Sequence, residues 1–201
     1  MGKGDTTRAA ILEHATTVAT SIGLDALSIG RLAADLNLSK SGVFAHFQSK
    51  EALQVAVVET ASEHFADQVV RPGLKAPRGE PRLRALIERW LAWGALSAKP
   101  GGCFFVAAAA ELDDRPGPAR DALVARQRDW VELLAGAARA AIQEGHLRAD
   151  LDPEQLAFEL YGVVLTTHHR ARLLCEKDAF DRARTAVERL LAQARAPSKA
   201  A

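Results

Sequence analysis

The chain has 201 residues, 48% of them hydrophobic and 25% charged, which is enough for one large or two small globular domains with a real core. Its 26 Lys and Arg against 25 Asp and Glu leave a formal charge of +1, so no global field advertises nucleic acid, anionic membrane or acidic substrate, and charge-driven binding has to be local. The two cysteines, Cys103 and Cys175, stand far apart with no CxxC and no histidine at metal spacing, which argues against a disulfide framework or a zinc site.

A reducing cytoplasm is therefore the expected setting: MGKGDTTRAA lacks the apolar core of a signal peptide, and no apolar run is long enough to span a bilayer. Met1-Gly2 with Thr6 fits the loose N-myristoylation pattern, but Asp5 and Thr6 have a better use as helix caps.

From Thr7, the residues Ile11, Leu12, Ala15, Val18, Ala19 and Ile22 form one helical stripe that Gly23 ends. Ser28 is a good N-cap for a second helix carrying Ile29, Leu32, Ala33 and Leu36, with Asn37 suited to the left-handed conformation that closes it. After Asn37, Leu38 and Ser39 a third helix can begin, capped by Ser39 and turning Val43 and Phe47 inward. Ser49 caps a fourth, Lys50 to Val70, with Leu53, Ala56, Val57, Ala61, Phe65 and Val69 at helical spacing, a rod of roughly 30 Å that Pro72-Gly73 is expected to break.

RPGLKAPRGEPR, residues 71–82, reads as a boundary loop. Helices are then expected over Arg82 to Ala98, Cys103 to Leu112 and Ala119 to Glu144, the last ended by Gly145. Asp152-Pro153-Glu154-Gln155 is a strong start signal, with Asp as N-cap, Pro at the first helical position and Gln at the third, for a helix to about Leu174. A final helix from Asp178 carries Phe180, Ala183, Val187, Leu190, Leu191 and Ala194, and the tail RAPSKAA reads as disordered from about residue 196. The sum is an all-α chain of about nine helices without a convincing strand.

The second and third helices, joined by a three-residue turn, match a helix-turn-helix. A recognition helix must bury one edge against its partners and keep the other lean enough to enter the major groove. Val43 and Phe47 supply the buried edge, leaving Lys40, Ser41, Gly42, Phe44 and Ala45 for DNA. Lys40 sits where backbone amides also point outward and can reach a base edge or phosphate; Lys50, His46 and Ser28 are placed for phosphates. Against this, residues 1–51 hold five bases (Lys3, Arg8, Arg31, Lys40, Lys50) and five acids (Asp5, Glu13, Asp25, Asp35, Glu51), so the segment carries no basic excess.

Leu27-Ser28-Ile29-Gly30-Arg31-Leu32-Ala33, Leu38-Ser39-Lys40-Ser41-Gly42-Val43-Phe44-Ala45-His46-Phe47 and Ser49-Lys50-Glu51-Ala52-Leu53 resemble the N-terminal signature of TetR-type transcriptional regulators. The resemblance covers about residues 7 to 55 and implies a helix-turn-helix DNA-binding domain over 1–50 and a ligand-binding and dimerisation domain over 51–201. It implies a ligand-responsive regulator, most members being repressors, that binds a palindromic operator as a homodimer and is released by a small-molecule inducer. By position, base contacts would come from Lys40, Ser41 and Phe44, and phosphate contacts from Ser28, His46 and Lys50. The family commonly has tyrosine where Phe44 stands, so Phe44 is expected to touch a thymine methyl instead of bonding a phosphate. Gly30 and Ala45 replace longer side chains found in many members, and Gly42 weakens the recognition helix by up to about 1 kcal/mol relative to alanine.

The last two helices resemble the pair that dimerises in this family, and Leu156, Leu160, Val163, Val164, Thr167 and Ala171 form a stripe wider than one core face needs. For the inducer, Trp90, Trp93, Phe104, Phe105, Trp130 and Tyr161 either line a cavity or simply fill the core. Glu111 has two readings, a pair with an arginine or a ligand contact. His168 and His169 cannot face the same way on a helix; His168 is kept as a ligand candidate and metal binding is not expected. Cys103 reads as a small buried thiol, with redox sensitivity as the alternative. With no HExxH, GxSxG or phosphate-cradling glycine loop, neither enzyme chemistry nor a cofactor is expected.

Overall fold

A computed structural model describes residues 3–96 and 102–197. The helices are α1 (Lys3–Ile22), α2 (Ile29–Asp35), α3 (Lys40–Phe47), α4 (Lys50–Phe65), a π turn (Ala66–Val70), α5 (Arg71–Leu74), α6 (Glu80–Leu96), α7 (Phe104–Leu112), α8 (Pro118–Gln143), α9 (Pro153–Arg172) and α10 (Ala179–Ala194). Among the described residues the only β pairing is an isolated bridge between Leu147 and Arg195, so the chain is all-α. The lipidation pattern at Met1-Gly2, the predicted helix end at residues 97 and 98 and the tail from 198 fall outside the described residues.

The chain divides into two compact units, the first formed by residues 1–64 and 99–127, the second by 65–98 and 128–201. In the first, Ile11, Leu12 and Ala15 of α1, Leu32 of α2, Val43 and Phe47 of α3, Leu53 and Val57 of α4, and Phe104 and Leu112 of α7 share one core. The short helices owe their ends to local chemistry. Ser28 stands in extended backbone and its hydroxyl accepts the Arg31 N–H at 3.1 Å; Ser39 accepts from Gly42 N at 3.0 Å, and Ser49 from Ala52 N at 3.0 Å. Asn37 closes α2 at φ 53, and Gln48 stops α3 at φ 63, the latter an end that the sequence pattern does not announce.

Two expectations at the start of the chain change. Helix α1 begins at Lys3, ahead of Thr7, so Asp5 is not its cap; Asp5 lies inside the first turn, where a negative charge still meets the positive end of the helix dipole.

The predicted single helix from Lys50 to Val70 changes character near its end, in the residues that begin the second unit. The Pro72-Gly73 pair does not break the chain into a loop: the backbone widens into the π turn, with Arg71 N donating to Ala66 O, and helix resumes as α5. Proline has no N–H to give the carbonyl four residues back, and a wider register one turn earlier accommodates that gap. Gly73 is buried, and a Cβ there would lie 2.6 Å from Leu86 Cδ2 of α6. The expected 71–82 loop therefore shrinks to residues 75–79, because α6 already starts at Glu80.

Helix α9 packs on α6 and α10, and Leu83, Leu86, Ile87, Leu134, Leu160 and Leu191 are fully buried. Asp152 caps α9 as expected, accepting from Glu154 N and Gln155 N, but Gln155 turns its amide to Glu159 and does not complete a capping box. Arg195 and Ala196, assigned in the sequence to the tail or its edge, are anchored. Ala196 N donates to His146 O at 3.1 Å, and Arg195 reaches Glu80 at 2.6 Å, joining an ion-pair group with Arg84 and Glu188. The Arg195 guanidinium beside Glu80 is the main influence holding that carboxyl below the usual range, against a smaller push upward from burial.

Candidate functional site

Helix α3 separates its two edges cleanly. Val43 and Phe47 are 0% and 4% exposed, whereas Phe44 is 53% exposed, and Lys40, Ser41, Gly42 and Ala45 are all on the surface. The Phe44 ring is apolar surface that a partner seated on this edge would bury. Beneath, the Arg8 guanidinium of α1 lies 5.3 Å from the Phe47 ring centroid, a cation–π contact that ties α1 to the buried edge. His46 is half-buried, its ring tilted against Phe47 at 6.2 Å.

The remaining DNA candidates stand around α3. Ser28 caps α2 and is exposed; the stem of Lys40 runs beside Gly30, whose Cβ position would be 3.4 Å from Lys40 Cε. Gly30 thus leaves the first turn of α2 open for that lysine. Lys50, at the start of α4, is already engaged: Nζ donates to Asp25 O at 2.5 Å and to Asp25 Oδ1 at 2.9 Å. Asp25 also pairs with Arg115 at 2.9 Å through its other oxygen. The hydrogen bond from Lys50 is the largest of the influences that keep the Asp25 carboxyl below its ordinary range. Other head acids are likewise paired, Asp35 with His14 at 3.0 Å and Arg31 at 3.8 Å, and Glu13 with His64 at 2.8 Å.

What holds this arrangement carries no spacing signal in the sequence. Glu111 of α7 pairs with backbone, not with the arginine considered for it: its carboxylate accepts Leu24 N and Asp25 N, each at 2.7 Å. Contacts across 86 and 87 positions leave no periodic trace in a sequence, though an acid closing an apolar run was a visible oddity.

Of the ligand candidates, the structure gathers Trp90, Trp93, Trp130 and Tyr161, with Phe65, into one aromatic cluster of the second unit. Trp130 meets Phe65 edge-on at 4.9 Å and Trp90 at 5.2 Å; Tyr161 lies 5.1 Å from Trp90, and Trp93 lies 5.8 Å from Phe65. The Trp130 indole N–H is buried with no acceptor among the described residues. Phe104, Phe105 and Glu111 belong to the first unit, where Phe104 is core and meets Phe105 edge-on at 5.4 Å. His168 is half-buried on α9, and burial, helped by Arg172 and His169, pushes its imidazole down from the usual value. Cys103 is buried at the start of α7, while Cys175 is exposed. Among the described residues no three His, Cys, Asp or Glu side chains stand together as a metal site.

The apolar stripe expected at an interface serves the chain's own core instead. Leu156, Leu160, Val164 and Thr167 are buried within the chain itself, Leu160 at 0% exposure, because α6 and α10 already cover that side of α9; Val163 and Ala171 are half-buried. The apolar side chains that α9 and its end leave in water are Phe158 at 72%, Leu165, Leu173 at 70% and Leu174.

Comparison with known proteins bears on both units. Residues 11–57 match the family model for bacterial regulatory proteins of the tetR family, and residues 79–187 match that of the tetracyclin repressor-like C-terminal domain. No curated protein matches the chain. Among solved structures it is similar to a TetR transcriptional regulator from Chloroflexus aurantiacus, with a TM-score of 0.87 at 24% identity over 98% of this chain and 100% of that one. A TetR family regulator from Cytophaga hutchinsonii gives 0.83 at 21% identity, covering 98% and 99%. AibR, solved with isovaleryl coenzyme A and operator DNA, gives 0.71 at 23% identity, covering 94% and 98%. No helix of the described residues is long and apolar enough to cross a membrane.

Proposed function

Given that this chain belongs to the TetR family of transcriptional regulators, DNA-binding proteins and not enzymes, we propose that it is a cytoplasmic repressor that holds a palindromic operator as a homodimer and leaves it when a small molecule binds. The observation that carries this reading is the exposed edge of α3: Lys40, Ser41, Gly42 and Phe44 stand in water on a helix whose opposite edge is fully buried. Lys40 and Ser41 read base edges, Phe44 meets a thymine methyl, and Ser28, His46 and Lys50 hold phosphates. The DNA-binding part is residues 1–50, with the rest serving ligand and dimer.

Two copies are required because one short helix contacts too few base pairs, and two must lie roughly 34 to 36 Å apart to enter successive major grooves on one side of the duplex. The exposed Phe158, Leu165, Leu173 and Leu174 are the surface that pairing through α9 and α10 would cover. The inducer is held by the aromatic cluster, where the Trp130 N–H offers a donor to a ligand oxygen; His168 is the nearby ionisable candidate on the same helix as Tyr161. AibR, solved in complex with isovaleryl coenzyme A and operator DNA, supports a small-molecule site and an operator site on one such fold.

Selection of genomic fragments that the full-length protein retains tests the proposal. Enrichment of a two-fold-symmetric sequence, with half-sites about one helical turn apart, is expected; recovery of unrelated fragments in proportion to their abundance overturns it.

A further inference from the structure

We propose that Asp25 is a brake on the phosphate grip of Lys50, and that Arg115 relieves the brake by sharing the Asp25 carboxylate. The inference rests on the reading of Lys50 as a phosphate contact and adds the device that sets its strength.

The turn between α1 and α2 is fixed in place before any DNA arrives. Leu24 N and Asp25 N both donate to Glu111 at 2.7 Å, and the buried Gln54 amide donates to Leu24 O at 3.2 Å. Gly23 stands at φ +93, and a Cβ there would lie 2.8 Å from Glu111 Oε1, so this close seating of the carboxylate needs glycine. Asp25 is therefore presented to Lys50 by a rigid backbone, not by a wandering loop.

An ammonium group has three N–H donors. In Lys50 two of them are spent on Asp25, one on its carbonyl oxygen at 2.5 Å and one on Oδ1 at 2.9 Å. A single donor is left for a phosphate unless the lysine lets go of the side chain. The Asp25 charge also opposes a phosphate placed beside Lys50. The pair is exposed, with Lys50 46% and Asp25 51% accessible at the side chain, so the attraction is weak and a phosphate can compete for the lysine. Oδ2 of Asp25 is held by Arg115 Nη1 at 2.9 Å. When Lys50 turns to DNA, Asp25 keeps a cation; without Arg115 the lysine would be its sole countercharge. Glu111 acts as a positioning residue for Asp25, since it holds the backbone from which Asp25 projects.

A phosphate contact is independent of sequence, so the test needs no operator. The full-length protein is titrated against a fluorescently labelled short duplex of random sequence, by anisotropy, over a series of salt concentrations. Asp25→Asn, which keeps the volume and one acceptor oxygen, is expected to tighten binding about two- to fivefold, the range of an exposed ion pair. Asp25→Ala should move it in the same direction. Arg115→Ala is expected to weaken binding by a similar factor in the natural background and to have no effect in the Asp25→Asn background. Unchanged or weaker binding by both Asp25 variants, while Lys50→Ala lowers the salt slope by about one, overturns the brake and leaves the Lys50 contact standing. An Arg115→Ala loss that persists in the Asp25→Asn background makes Arg115 a direct DNA contact and overturns its assigned role. A salt slope unaltered by Lys50→Ala removes the phosphate contact itself, and the brake with it.

Discussion

Replacing Glu111 by alanine removes the acceptor for two backbone donors, and the two losses differ. Leu24 is 1% exposed, so its N–H, deprived of the acceptor it met at 2.7 Å, finds little water and costs about 1–3 kcal/mol as an orphaned buried donor. Asp25 is exposed, and solvent replaces the oxygen its N–H loses at little net cost. The expected total of about 1–3 kcal/mol translates, at roughly 2–4 °C per kcal/mol for a chain of this size, into a melting temperature lower by about 2 to 12 °C. Glu111→Gln keeps one oxygen and should fall between alanine and the natural residue. The assay is thermal unfolding followed by far-UV circular dichroism. A Glu111→Ala protein that melts with the natural chain, yet no longer responds to its inducer, would refute the argument and return Glu111 to the ligand pocket.

Four further outcomes are expected. Lys40→Ala should change which operator is preferred, read by repeating the fragment selection; weaker binding with unaltered preference would restrict Lys40 to phosphate. Phe158→Glu should give folded monomers by sedimentation that bind a half-site poorly, whereas Leu160→Glu, which places a charge in a fully buried position, should unfold the second unit and not merely dissociate a dimer. Ionised Glu80 is stabilised by Arg195 and Arg84, so its folded pKa lies below the unfolded one. Its contribution is then complete above the ordinary glutamate pKa and is lost as pH falls through the depressed value. The melting-temperature gap between the natural chain and Glu80→Gln should close on acidification, and a gap indifferent to pH would contradict this.

What could be read directly from the residues was local in origin. Caps at Ser28, Ser39, Ser49 and Asp152, the stop at Asn37 and the inward pair Val43 and Phe47 all depend on neighbours within four positions, where hydroxyls, carboxylates and helical spacing act alone. Two expectations rest on rules that tertiary structure overrides. Pro72-Gly73 is a strong breaker in isolation, but a π turn absorbs the missing donor and Leu86 fills the room that Gly73 leaves. Leu156, Leu160, Val164 and Thr167 are apolar enough for an interface, and only packing on α6 and α10 reveals that the monomer consumes them. The Glu111, Asp25, Lys50 and Arg115 network lay beyond reach because its members are brought together by the fold of the first unit and share no spacing.

The placement of the aromatic residues also decides what optical methods can see. All three tryptophans of the chain, Trp90, Trp93 and Trp130, and its single tyrosine lie in the second unit. Intrinsic emission therefore reports on that unit and is blind to the helix-turn-helix, and Tyr161, with its ring 5.1 Å from Trp90, passes its excitation on. A denaturation curve taken by fluorescence beside one taken by circular dichroism will separate if the two units melt independently, and will coincide if they melt as one.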